Sequence, residues 1–123
     1  MRTAIIIKGN PKFIKNNTLA EHFYEQLARV VSEQGYSVTF DAGEPYTTPV
    51  KADLWIGHSR GCDRLRFAPE GTRTIAMGSA SDGAINHPQD NTIQTIGESD
   101  VEPNEFHYTI TETIINELKK RLA

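Results

Sequence analysis

The chain begins with an unbroken apolar run. Ala4-Ile5-Ile6-Ile7 stands between Thr3 and Lys8, and Gly9-Asn10-Pro11 closes it. A β-branched stretch with no polar alternation predicts a strand over residues 3–8 that is buried on both faces and ends in a tight loop. The period then changes from continuous to fourfold. Leu19, Phe23, Leu27 and Val31 recur every four residues and predict a helix over 18–34. Thr18 and Glu21 have the spacing of a capping box, and Gly35 supplies a left-handed stop. Tyr36 to Phe40 alternates as a half-exposed edge strand does.

Residues 41–52 hold Pro45, Pro49 and Gly43 and predict a loop rather than a helix. A third strand is expected over 53–56, a short helix over 60–67 ending before Pro69, and a fourth strand over 72–77. Polar, turn-rich residues fill 78–91 and 97–106, with a shorter fifth strand at 92–96 between them. The last helix is expected over 109–122, opened by a Thr109/Glu112 capping box. Its stripe is Ile110, Ile114, Leu118 and Leu122, with Ile115 alongside.

Strands alternating with helices predict a single α/β domain over residues 1–123: a three-layer α/β/α arrangement around a five-stranded, mostly parallel sheet in the order 2-1-3-4-5. The first and last helices then share one face. The other face has only the short helix and two loops to cover it, and that thin cover predicts a homodimer through this face.

Composition narrows the function. The 123 residues carry 13 basic and 16 acidic side chains, interspersed, for a net charge of -3. No basic stripe exists to neutralise phosphates, so nucleic acid is not an expected partner. One cysteine, Cys62, excludes an internal disulfide and a cysteine-rich metal site; no metal or cofactor is expected. The four-residue apolar run near the N-terminus is too short for a signal-peptide core or a membrane span, so no membrane partner and a cytoplasmic location are expected.

One motif carries chemistry. The third strand runs directly into Gly57-His58-Ser59-Arg60-Gly61 and a helix follows. A Gly-x-Ser-x-Gly turn of this kind presents a serine nucleophile, and its glycines are needed because side chains two positions either side of the serine would clash. The bland alternative is a glycine-rich turn whose serine only caps the helix.

These residues resemble the α/β-hydrolase superfamily, where histidine often precedes the serine. Ile5-Ile6-Ile7-Lys8-Gly9-Asn10 looks like that family's first core strand, and His107-Tyr108 stands where the family places its catalytic histidine, before the C-terminal helix. The resemblance covers most of the chain in order, although the chain is much shorter than typical members and carries no lid insertion. It implies a serine hydrolase of esterase or thioesterase type, acting on a small acyl substrate, with nucleophile, acid and histidine in that chain order.

The general base follows by position. His22 falls inside the first helix, and His58 adjoins Ser59 in the strand, so its side chain points to the other side. Of His87 and His107, His107 follows the last strand at the same carboxyl edge as Ser59 and precedes a helix N-terminus, which favours the neutral imidazole a base requires. For the orienting acid, Asp82 and Asp90, both in the loop after the fourth strand, stand ahead of Asp100. The oxyanion hole would use the backbone N–H of Arg60 and that of Asn10. Arg60, Arg64 and Arg66 read as a solvated face, and Cys62 as a small buried packing residue. Two other readings stay open. One is a flavodoxin-like nucleotide- or phosphate-binding module using Gly9-Asn10-Pro11-Lys12 and Asn16-Asn17-Thr18. The other is a catalytically silent hydrolase-like interaction domain.

Overall fold

A computed structural model describes residues 2–8, 18–41, 51–78, 92–94 and 111–123. Strands β1 (Arg2–Ile7), β2 (Tyr36–Asp41), β3 (Leu54–His58), β4 (Arg73–Gly78) and the short β5 (Thr92–Gln94) pair in the order β2-β1-β3-β4-β5, and every pairing is parallel. Two α-helices, α1 (Thr18–Glu33) and α2 (Glu112–Leu122), and a 3-10 helix (Ser59–Phe67) complete the described elements. The α/β class with a parallel sheet is therefore as the hydrophobic pattern predicts.

Side-chain alternation divides the strands between two packed faces. On the larger face, Ala4, Ile6, Leu54, Ile56, Ile75 and Met77 meet Phe23, Leu27 and Val31 of α1 and Ile114, Leu118 and Leu122 of α2. The fourfold repeats in the two helices are these contacts. Phe23, Leu27 and Val31 are wholly buried, each contributing about 1.5–3 kcal/mol of transfer free energy. On the smaller face, Ile5, Ile7, Trp55 and Ala76 pack under Cys62 and Leu65 of the 3-10 helix, with Ala52 and Ala68 at the margin. Trp55 Nε1 and Thr74 Oγ1 occupy paired register positions on that face, both buried and both without a hydrogen-bond partner among the described residues.

Gly35 ends α1 as expected. Its φ of 96° lies in the left-handed region, and its N–H donates to Ser32 O at 3.0 Å. One capping assignment moves, while Thr18 is the first described residue of α1. At α2 the cap is Thr111 rather than Thr109. Thr111 is extended (φ -106°, ψ 164°), and its hydroxyl accepts from Ile114 N at 3.2 Å.

The third strand is longer than the apolar run implies. Gly57 and His58 continue the ladder, opposite Ala76 and Met77 of β4, and the helix starts at Ser59 without an intervening loop. That helix is wound as 3-10, nine residues long, where such runs are usually three or four. No described helix is long and apolar enough to cross a membrane.

Candidate functional site at the carboxyl edge

The carboxyl ends of β1 and β3 lie side by side, with Ile7 opposite Gly57. From here the chain leaves in opposite directions: β1 leads to α1 on the larger face, and β3 enters the 3-10 helix on the smaller. Parallel α/β sheets bind ligands at such a reversal, outside the strand ends. Ser59 opens the 3-10 helix there, and Arg60 follows it. The first N–H groups of a helix have no carbonyl partner within it, so this turn presents backbone donors. For Ser59 and Arg60 the description extends to the backbone. Asn10, Asp82, His87, Asp90, Asp100 and His107 lie outside the described residues, as does the Gly9–Lys12 segment.

Both glycines of the motif are required by close approach. A Cβ on Gly57 would stand 2.9 Å from Cys62 Cα and 3.0 Å from Cys62 N and Gly61 O. A Cβ on Gly61 would overlap the Ile7 carbonyl oxygen and stand 2.8 Å from Lys8 O. The obstacles are backbone atoms in every case, so no side-chain rotation relieves them. Gly57 lets the helix fold back on the strand it leaves, and Gly61 lets that helix press onto the end of β1. The clash two positions either side of Ser59, expected from the motif, is a property of this fold.

His58 is directed to the opposite face, as strand alternation demands. It is wholly buried, its Nδ1 lies 2.9 Å from Tyr24 Oη, and its ring packs 4.4 Å from that of Phe23. The residue before Ser59 is thus anchored to α1 rather than turned toward a substrate. Tyr24 also has its ring 5.4 Å from His58 and 6.4 Å from Phe40 of β2, and Lys8 Nζ stands over the Tyr24 ring at 5.3 Å and the Phe40 ring at 4.7 Å. His22, by contrast, lies exposed on α1 beside Glu25.

Arg64 departs from expectation. It is buried rather than part of a solvated face, and its guanidinium pairs with the Asp41 carboxylate at the end of β2, itself nearly buried. A charge so enclosed requires a partner, and Asp41 supplies it from across the sheet edge. Arg66 remains exposed, over the Phe67 ring. Cys62 is buried as expected, with Sγ 3.3 Å from Gly57 O and 3.5 Å from Met77 O, so its thiol proton has an acceptor. The described residues contain no cluster of three or more metal-ligating side chains.

Sequence reasoning missed Tyr24, Phe40 and Lys8 as a group. Tyr24 sits beside the Phe23 stripe position and Lys8 closes an apolar strand, and neither position signals that the fold brings them together. Comparison of the chain with models of known families, with curated proteins and with solved structures yields no match.

Proposed function

We propose that the chain is a small serine hydrolase of α/β-hydrolase type, a three-layer α/β/α domain that cleaves ester or thioester bonds in small acyl substrates. The observation that carries this reading is the pair of glycine contacts around Ser59. A serine set between a strand end and a helix start, in a turn too tight for any side chain at Gly57 or Gly61, has the form of a nucleophile elbow.

In this reading Ser59 Oγ attacks the substrate carbonyl while His107 takes its proton, and Asp82 or Asp90 orients the imidazole. The N–H of Arg60 and that of Asn10 hold the oxyanion of the tetrahedral intermediate. His107 then returns the proton to the departing alcohol or thiol. Water, deprotonated by the same histidine, releases the acid from the acyl-enzyme. Nothing in this sequence of steps calls on a cofactor.

A fluorophosphonate probe tests the proposal directly. Labelling of the folded protein that disappears in Ser59→Ala and is slowed by orders of magnitude in His107→Ala supports it. An unlabelled, cooperatively folded wild-type protein overturns it in favour of a silent interaction domain.

A further inference from the structure

Lys8 is ordered in an unusual way. It extends from the carboxyl end of β1, half-buried, with its ammonium over the rings of both Tyr24 and Phe40. Its backbone N–H donates to Asp41 O at 3.0 Å, while its ammonium forms no ion pair or hydrogen bond among the described residues. Tyr24 in turn is fixed by the contact between its hydroxyl and His58 Nδ1. A lysine gives up about 1.5–2 kcal/mol of rotamer freedom when its side chain is held. Two ring faces attract its charge but leave the three N–H donors of the ammonium to be satisfied from outside.

The acid that follows Phe40 is committed elsewhere. Phe40 and Asp41 are consecutive at the end of β2, and strand alternation sends them to opposite faces. Phe40 joins Tyr24 and Lys8 on the larger face, and the Asp41 carboxylate meets Arg64 of the 3-10 helix. Arg64 thereby keeps a carboxylate away from the ammonium. The Lys8 backbone meanwhile touches the serine turn, since Lys8 O is what a Cβ on Gly61 would strike at 2.8 Å. Lys8 therefore borders the turn that carries Ser59 through its backbone and holds its ammonium on the larger face, flanked by the half-exposed ring of Phe40.

We infer that Lys8 binds an anionic oxyacid group on the substrate, with the Phe40 ring flanking the carbon chain that leads to it. The inference rests on the hydrolase reading and adds to it a substrate class: esters or thioesters whose acyl chain ends in a carboxylate or phosphate. Tyr24 is the positioning residue that holds the cation in place.

Matched substrates separate the effect from folding. The p-nitrophenyl monoester of glutaric acid and its neutral methyl-capped counterpart differ only at the distal group, so their kcat/KM ratio cancels any loss of folded protein. Wild type should prefer the anionic ester by on the order of tenfold, a preference that fades as salt rises. Lys8→Arg should retain the ratio, Lys8→Met should bring it to unity, and Lys8→Glu should invert it. A ratio that is the same in wild type and Lys8→Met overturns the inference.

A second measurement needs no catalysis. Glutarate titrated into the full chain should produce saturable amide shifts at Lys8 and Phe40 by NMR, lost in Lys8→Met. Binding without turnover of any ester would sink the hydrolase reading and leave the anion site standing. Shifts that do not depend on residue 8 would sink the site.

Discussion

Gly61→Ala is the sharpest test of how the serine turn is built. The added methyl would overlap Ile7 O and lie 2.8 Å from Lys8 O. To restore an ordinary contact of 3.4 Å the helix must withdraw from Lys8 O by about 0.6 Å, the difference of the two distances, and by more from Ile7 O. Overpacking a well-filled site costs about 1–3 kcal/mol, and backbone obstacles on a central strand place this change at the upper end. Alanine recovers roughly 0.5–1 kcal/mol through its higher helix propensity, a smaller term. The net expectation is a loss of about 2 kcal/mol, read as a lowered urea midpoint with an unchanged slope. Gly71→Ala is the control. Its φ of 87° strains any side chain, at roughly 1–2 kcal/mol, but nothing lies within 4 Å of the new methyl. Fluorophosphonate labelling should therefore survive in Gly71→Ala and slow sharply in Gly61→Ala, even below the temperature at which either variant unfolds. If Gly61→Ala matched wild type in both stability and labelling rate, the close approach of helix to β1 would be wrong, and the elbow reading would lose its support.

Two further substitutions follow from buried polar contacts. Arg64→Leu or Asp41→Asn alone breaks an enclosed ion pair and should cost about 3–5 kcal/mol in chemical denaturation. The double variant Arg64→Leu/Asp41→Leu should lose much less than the sum of the two single changes. Tyr24→Phe removes the hydroxyl that meets His58 Nδ1 and should cost about 1–3 kcal/mol by thermal or urea unfolding. It should also lower the preference for the anionic ester, because the ring that steadies Lys8 is no longer tethered; an unchanged preference would remove Tyr24 from its positioning role.

The parts of the fold that could be read in advance are those in which local pattern and tertiary burial agree. The isoleucine run of β1 is apolar on both sides because both sides are covered, and Phe23, Leu27 and Val31 repeat because one helix face is. Gly35 was legible because a positive φ at a helix end favours one residue type. By pattern alone Gly57 and His58 belong to the turn, because glycine ends an apolar run. They are strand because backbone pairing with Ala76 and Met77 does not depend on side chains. The Arg64 burial was illegible for a different reason: its partner lies 23 residues away, brought close only by the sheet. At α2 the sequence has two threonines two residues apart, and spacing alone does not choose between them; Thr111 is the one that caps. Around Ser59, the motif itself signals glycine at 57 and 61, although only the Gly57 contacts are local and those of Gly61 come from the end of β1. The Lys8–Tyr24–Phe40 group was not legible, since it joins three separate elements.

The smaller face has one more consequence. The chain contains a single tryptophan and a single cysteine, and both lie in that cluster, Trp55 under the 3-10 helix and Cys62 within it. Indole fluorescence and thiol reactivity are thus two spectroscopic witnesses to the same half of the molecule. Far-UV circular dichroism, dominated by α1 and α2, watches the other half. A denaturation followed by all three signals compares the cohesion of the two faces without any engineered label. Coincident curves would mean that the thinly covered side melts with the whole, and early thiol modification that it opens on its own.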